Sequence, residues 1–431
     1  RHLPCACRLR VSAPHSGASA MNVDLQRAID RYLGVPLCAL ASLLERVLPR
    51  RTPPSLPRRI VVILLSEMGS LVLAQPMFAL LRARYPEASL HVLLFGKNRE
   101  VLDLMASVPP ENVITIDDRS LGGLLRTLFA AIRTLRQLRP DAVLDCELFA
   151  RISSLLAWLS GAPLRVGFHR HTQEGLYRGS FINRRVLYNP YRHLSLQFLT
   201  LARALVSKTH PLDKEQQDPG DFPLTAPLPG FTAGEVDAFQ ARIVDDYPRF
   251  SGRRLALLYP SGGILPIRAW PPANWRMVAS GLLAEGYVVA IIGLPADKPL
   301  GRALSEAVAH PDCVDLTGYT RSVRELVALL GRAALLITND GGPAQFSSLT
   351  GVPTVALFGP ETPRLYGPLG DHASCLHLEL PCSPCLTAYN HRNSPCDGDN
   401  QCLRRIAPER VLVEARAVVT RIRPGPIKDT P

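Results

Sequence analysis

The chain has 431 residues, 47% hydrophobic and 20% charged, which is enough material for two buried cores and excludes a disordered or low-complexity polymer. Its 49 Lys and Arg outnumber its 37 Asp and Glu, a formal net charge of +12. That excess suits an anionic membrane face or a phosphorylated ligand; nucleic acid is not expected, because the basic residues are scattered and no nucleic-acid module accompanies them.

Taken in chain order, the first twenty residues lack a compact apolar core with a cleavage site, and Met21 is a candidate start, so no secretory signal is expected and the chain is expected to be cytoplasmic. Residues 21–50 carry Leu and Ala at helical spacing from Val35 to Leu48 and end in Pro49-Arg50-Arg51. Two readings stay open for this helix: an interfacial helix on anionic lipid, or an extra helix packed on the protein. A Pro-rich linker, residues 52–58, follows. No run reaches the roughly 18–20 apolar residues of a membrane span.

From Ile60 an alternation of apolar strands and amphipathic helices begins. Strands are predicted at Ile60–Leu65, Leu90–Phe95, Val113–Ile116 and Ala142–Cys146, and helices at Leu71–Tyr85, Glu100–Ser107, Leu121–Leu138 and Ala150–Leu159. Between about His169 and Phe250 the rhythm fades, apart from a helical stretch His193–Val206. It restarts with strands at Leu255–Tyr259, Val288–Ile292, Leu335–Thr338 and Thr354–Phe358, and helices at Asn274–Glu285, Gly301–Ala309, Val323–Leu330 and Pro343–Leu349. Buried strands alternating with helices imply parallel sheets covered on both faces. The fold class expected is therefore α/β, two Rossmann-like domains facing across a cleft. The expected boundaries are an N-terminal extension 1–57, an acceptor-side domain 58–210, a linker 211–250, a nucleotide-sugar-binding domain 251–415 with a Cys-rich segment 375–402, and a tail 416–431.

The segment LLITNDGGPAQFSSLTGVPTVALFGP, residues 335–360, carries the most chemistry. A strand leads into Asn339-Asp340-Gly341-Gly342, a tight loop whose glycines permit backbone geometry that other residues resist, and Pro343 suits the first helical position. A helix N-terminus beside a Gly-rich loop offers backbone N–H groups to a diphosphate. On the residues alone, Asp340 either holds sugar hydroxyls or caps the helix. There is no GxGxxG after the first strand and no GxxxxGK[ST], so dinucleotide oxidoreductases and P-loop NTPases lose support.

This stretch resembles the ADP-heptose:lipopolysaccharide heptosyltransferases, glycosyltransferase family nine, whose motif runs roughly N-D-S-G-P-x-H-x-A-x-x-x-G-x-P-x-x-x-x-F-G. Further elements resemble the family in order: residues 60–86 ending in Arg82 and Pro86, Arg165-Val166-Gly167-Phe168, Tyr259-Pro260-Ser261-Gly262 with Arg268-Ala269-Trp270-Pro271, and Asp315-Leu316-Thr317-Gly318 with Arg324-Glu325-Leu326. The resemblance covers roughly residues 58 to 415. It implies a glycosyltransferase of the B type that moves a heptose-like sugar from a nucleotide diphosphate donor to a lipid-linked or polysaccharide acceptor of the cell envelope, with inversion and without a metal. It also implies site residues. Gly341, Gly342, Pro343, Ala344 and Gln345 line the diphosphate pocket, which Ser261 and Gly262 also approach. Asp340 contacts the donor sugar, Asp297 the ribose hydroxyls, and Arg268 stands where the family has a Lys that neutralises the leaving diphosphate. An anionic membrane surface is a further expected partner, at the inner face of the cytoplasmic membrane.

Two positions depart from the family. Its first loop carries an Asp as general base where this chain has Ser70, and its His is here Gln345. A serine hydroxyl does not take a proton near neutral pH without a base beside it. Glu67 in the same loop, or Asp145, Glu147 or Glu174, supplies that base; the alternative is a nucleotide-sugar-binding protein with lost or weak transferase activity. Among the ten cysteines, Cys382, Cys385, Cys396 and Cys402 have spacing that suits a structural zinc, though the second pair is looser than usual, so reduced thiols are the competing reading. A zinc-stabilised scaffold or nucleic-acid binder is the third, weaker class.

Overall fold

The computed structural model describes residues 29–48, 51–65, 67–148, 150–169, 177–209, 211–212, 214, 224–388 and 394–422. Two six-stranded sheets, parallel throughout, organise it. In the N-terminal half the strands are β1 (Arg59–Ile63), β2 (Ser89–Phe95), β3 (Val113–Ile116), β4 (Ala142–Asp145), β5 (Leu164–Phe168) and β6 (Arg184–Val186). In the C-terminal half they are β7 (Leu255–Tyr259), β8 (Val288–Ile291), β9 (Cys313–Asp315), β10 (Leu335–Asn339), β11 (Thr354–Phe358) and β12 (Ala373–His377). The orders are β3-β2-β1-β4-β5-β6 and β9-β8-β7-β10-β11-β12, the same order twice. In each, the direction of winding reverses at the first strand, which opens a crevice beyond the strand ends for a ligand.

Alternation along each strand divides the core into layers. Val61 and Ile63 join one apolar cluster with Cys38, Ala41, Ala131, Leu135 and Leu156. Ile60 and Val62 join another with Met77, Phe78 and Phe198, and that cluster continues into the C-terminal half through Leu255, Val288 and Leu336. The far face of the second sheet packs Ala256 and Leu258 against Trp270, Trp275, Val411 and Val418. The two halves therefore share a continuous apolar core on one side, while each has a private core on the other.

The helices are α1 (Gly34–Val47), α2 (Met68–Leu73), α3 (Gln75–Arg84), α4 (Arg99–Met105), α5 (Leu121–Leu138), α6 (Arg151–Leu159), α7 (Leu194–Arg203), α8 (Glu235–Asp246), α9 (Pro272–Ala284), α10 (Lys298–Val308), α11 (Val323–Arg332), α12 (Gly342–Ser347), α13 (Pro363–Tyr366), α14 (Gln401–Arg404) and α15 (Pro408–Arg421). Several expectations are corrected. The single helix Leu71–Tyr85 is two, broken at Ala74 because Pro76 belongs in a first turn, where no N–H is required. The expected linker contains α8, tied to α11 by a two-pronged contact of Arg242 with Glu325 at 2.8 Å for each nitrogen. The expected tail boundary at 415 falls inside α15, whose Val411, Ala415 and Val418 are buried and which packs on α9. Strands β5, β6, β9 and β12, all of five residues or fewer, were absent from the reading of periodicity.

Of the two readings for the N-terminal helix, packing is realised on one side: α1 lies against α6, with Cys38, Ala41 and Ser42 buried. No described helix is long and apolar enough to cross a membrane.

Candidate functional site

The loop after β10 and the loop after β7 are locked together by one side chain. Asn339, the last residue of β10 and fully buried, donates through Nδ2 to the carbonyls of Pro260 (2.8 Å) and Ser261 (3.2 Å), and its Oδ1 accepts from the backbone of Trp270 (3.3 Å). Trp270 is itself fixed by its indole N–H, which reaches the carbonyls of Leu403 (3.0 Å) and Ile406 (3.2 Å). A buried amide with both ends used sets the spacing of two loops firmly, since losing either end would leave a desolvated polar atom.

Arg268, on the loop so held, reaches into the strand-end crevice. Its Nε lies 3.4 Å from Asp340 Oδ2 and its Nη2 2.7 Å from Glu361 Oε2. All three side chains are largely buried, Arg268 being 12% exposed. One guanidinium thus spans two carboxylates supplied by the loops after β10 and β11. A fixed cation of this kind, already oriented, can meet charge that develops on a departing phosphate. Glu361 was not singled out in the sequence. The signal was available: it is a carboxylate just past a strand's C-terminal end, beside the turn Gly359-Pro360.

Ser261 and Asp297, expected together on the donor, do meet: Ser261 Oγ donates to Asp297 Oδ1 at 2.7 Å, and Asp297 Oδ2 accepts from Leu294 N at 2.8 Å. Gly262 sits in a closed turn, where an added β-carbon would lie 2.7 Å from Leu265 O. Tyr259 leans on this group, a β-carbon at Gly341 falling 3.3 Å from its ring, and burial raises its hydroxyl pKa.

The motif loop differs from expectation in one respect. Gly341 has φ 176° and Gly342 begins α12, so neither adopts the left-handed backbone that only glycine favours. What the pair provides is the absence of side chains: Gly341 and Gly342 are half-buried at a helix start whose first N–H groups lack intrahelical partners. Pro343 is the second helical residue, and Pro343, Ala344 and Gln345 are buried. Gln345 donates from Nε2 to Tyr366 O at 2.6 Å. That bond holds the side chain beside α12 rather than extended outward.

The N-terminal half meets this loop directly. α2 packs on α12, and a β-carbon on Gly69 would stand 2.9 Å from Gln345 Cγ. In the same short helix Ser70 Oγ donates to Glu67 Oε2 at 3.1 Å, so the expected base and the serine that replaces the family Asp are paired. The other carboxylates are placed elsewhere. Asp145 is fully buried, ion-paired with Arg178 and hydrogen-bonded by Ser154 Oγ (3.2 Å) and Glu147 N (3.2 Å). Burial raises its pKa, but no surface is left for an acceptor to reach. Glu147 accepts from Leu65 N at 2.6 Å and braces the loop after β1. Glu174 lies outside the described residues. The four cysteines of the expected zinc site are described, with Cys385 Sγ 3.1 Å from Ser394 Oγ and Cys402 buried. Among the described residues no group of three or more His, Cys, Asp or Glu is arranged to hold a metal ion.

Residues 128–394 match the model of glycosyltransferase family 9 (heptosyltransferase). The chain belongs to that family. It is a glycosyltransferase. It is 26% identical over 369 residues to lipopolysaccharide heptosyltransferase 2 of Salmonella typhimurium, a match spanning 84% of this chain and 99% of the relative. Its fold is similar to that of E. coli ADP-heptose lps heptosyltransferase II, with a TM-score of 0.64, 24% identity and coverage of 84% and 99%. It is likewise similar to the family 9 glycosyl transferase of Veillonella parvula, with a TM-score of 0.67, 22% identity and coverage of 85% and 98%.

Proposed function

We propose that this family 9 enzyme transfers a heptose from ADP-heptose to the core of a lipopolysaccharide or a related envelope glycan, with inversion and without a metal. The names of the relatives, matched over nearly their whole length, support the donor and acceptor. The single observation that carries the reading is the contact of Gly69 with Gln345, which sets the Glu67–Ser70 pair beside the donor loop.

In the reaction the acceptor oxygen attacks the anomeric carbon as the bond from that carbon to the diphosphate oxygen breaks. The acceptor proton passes to Glu67, with Ser70 donating to the same carboxylate and holding it in place. The electron pair of the broken bond goes to the diphosphate, where Arg268 and the backbone N–H groups at Gly341 and Gly342 stabilise it. Asp340 orients the sugar hydroxyls, and Ser261 with Asp297 positions the nucleotide. Glu361 keeps Arg268 extended toward the leaving group, a positioning role.

Because the acceptor is lipid-linked, the same reading places the reaction at the inner face of the cytoplasmic membrane. Any zinc at Cys382, Cys385, Cys396 and Cys402 is proposed as structural only; elemental analysis of the purified full chain tests it, and a stoichiometry near zero removes it. The test of function is mass-detected transfer with a panel of nucleotide-sugars and a heptose-deficient core acceptor. The expected result is acceptor gaining one heptose as ADP appears. Tight nucleotide binding with no transfer from any donor would instead establish the binding-protein alternative that Ser70 and Gln345 suggest.

A further inference from the structure

Helix α1 is apolar on both sides. Its inner side seats closely on α6: Cys38 and Ala41 are buried, and a β-carbon on Gly34 would lie 2.8 Å from Arg151 Cβ. The acidic residues beside it also turn inward. Asp30 accepts from the backbone of Arg151 (2.8 Å) and Ile152 (3.0 Å), and Glu45 accepts from Trp158 Nε1 (3.0 Å) and pairs with Arg165.

The outer side carries Leu33, Leu37, Leu40, Leu44 and Val47, at the three- and four-residue spacing of one helix face, with Tyr32, Leu43 and Leu48 beside them. With Ile29, this stretch supplies nine of the twenty large apolar residues exposed among the described residues, Val47 at 75% and Tyr32 at 72%. The charges left outward are Arg31 and Arg46. The neighbouring α5, which also leans on α6, repeats the pattern: Leu121, Leu125 and Phe129 are exposed at every fourth position, with Arg126, Arg133 and Arg136 exposed and no acidic residue in the helix. The three helices cover one face of the first sheet, and the outside of that layer is apolar and basic.

We propose that the outer face of α1 and α5 is a docking surface for an anionic lipid bilayer. An interfacial helix is held by apolar side chains sunk among the acyl chains and by cations among anionic headgroups, and both components are present with the acids withdrawn. A second copy of the chain fits the face poorly, since self-pairing would bring Arg31, Arg46, Arg126 and Arg133 against like charges. The inference deepens the proposed function, because an acceptor anchored in a membrane has to be met at that membrane.

The test is flotation of the full chain with vesicles of phosphatidylcholine alone and with phosphatidylglycerol added, alongside transfer to a delipidated soluble acceptor. Wild-type protein floats with the anionic vesicles. Leu37→Glu/Leu40→Glu/Leu44→Glu lowers bound protein at least tenfold, and Arg31→Glu/Arg46→Glu removes the preference for anionic vesicles on the order of tenfold, while both keep wild-type transfer to the soluble acceptor. A wild-type chain that does not float, or a leucine variant that floats as well as wild type, overturns the proposal. So does a concentration-dependent dimer that the leucine substitutions dissolve, which would make the face an interface between copies. Flotation without transfer from any donor would overturn the proposed activity and leave the docking surface standing.

Discussion

In both halves an aspartate stands at the end of the same topological strand, the fourth in chain order, beside the first: Asp145 closes β4 and Asp340 follows β10. Each pairs with an arginine. Arg178 is sealed from solvent and its remaining donors go to backbone carbonyls of Glu147 (2.8 Å), Phe168 (3.1 Å) and Ala150 (3.0 Å) and to Ser153 Oγ (3.0 Å). Arg268 instead holds a second carboxylate, Glu361, and stays partly exposed at the crevice. One topology gives one slot, and the arginine's remaining contacts decide its use. Where neutral backbone and hydroxyl acceptors saturate a sealed guanidinium, the pair knits loops together; where a second carboxylate holds one that keeps some exposure, it can meet a ligand's charge.

The comparison can be broken in both directions. The largest effect is expected at the sealed pair. Arg178→Ala leaves Asp145 buried without its countercharge and should cost about 3–5 kcal/mol of stability, read by urea unfolding; a variant as stable as wild type would show that the pair holds nothing together. Arg268→Ala should instead lower kcat/KM for the donor by about 10²–10³-fold, and Arg268→Lys, which keeps the charge but loses the two-pronged reach, by about tenfold. Steady-state kinetics with varied donor check both, and an Arg268→Ala enzyme of normal efficiency would remove the cation from the chemistry. Glu67→Gln should lower kcat by about a hundredfold with little change in donor KM; unchanged turnover would mean the base lies elsewhere.

The smallest effect concerns pH. His372 lies 3.0 Å from Ser347 Oγ, beneath the donor helix α12, and burial lowers its pKa from 6.5 to about 4. Between those values the unfolded chain takes up a proton that the folded chain refuses, so stability falls as pH drops from 6.5 toward 4, by at most about 1.4 kcal/mol per pH unit. His372→Gln should flatten that slope in thermal melts recorded from pH 7 to 4, and an unchanged slope would assign it to other groups.

Much of the fold was legible because long apolar runs announce themselves. Val113–Ile116, Leu121–Leu138, Leu255–Tyr259 and Thr354–Phe358 match the expected bounds residue for residue. The short strands were not, since β6 and β9 have three residues each, too few to establish a period, and form because neighbouring strands offer them hydrogen bonds. At the site, the residues Asp340, Gly341, Gly342 and Arg268 were legible as a motif, but which of them meet was not.

By itself the sequence determined the α/β class, the repeated half and the family, because those are written in local periodicity and in the spacing of loop residues. Only the tertiary structure decided that the arginine on Asp145 is sealed while the one on Asp340 keeps some exposure, that Glu361 completes the Arg268 group, and that α1 buries one apolar side and exposes the other. Those outcomes depend on burial and on partners far away in the chain, Asp30 with Arg151 and Glu45 with Arg165 among them. Spacing along the chain carries no record of them.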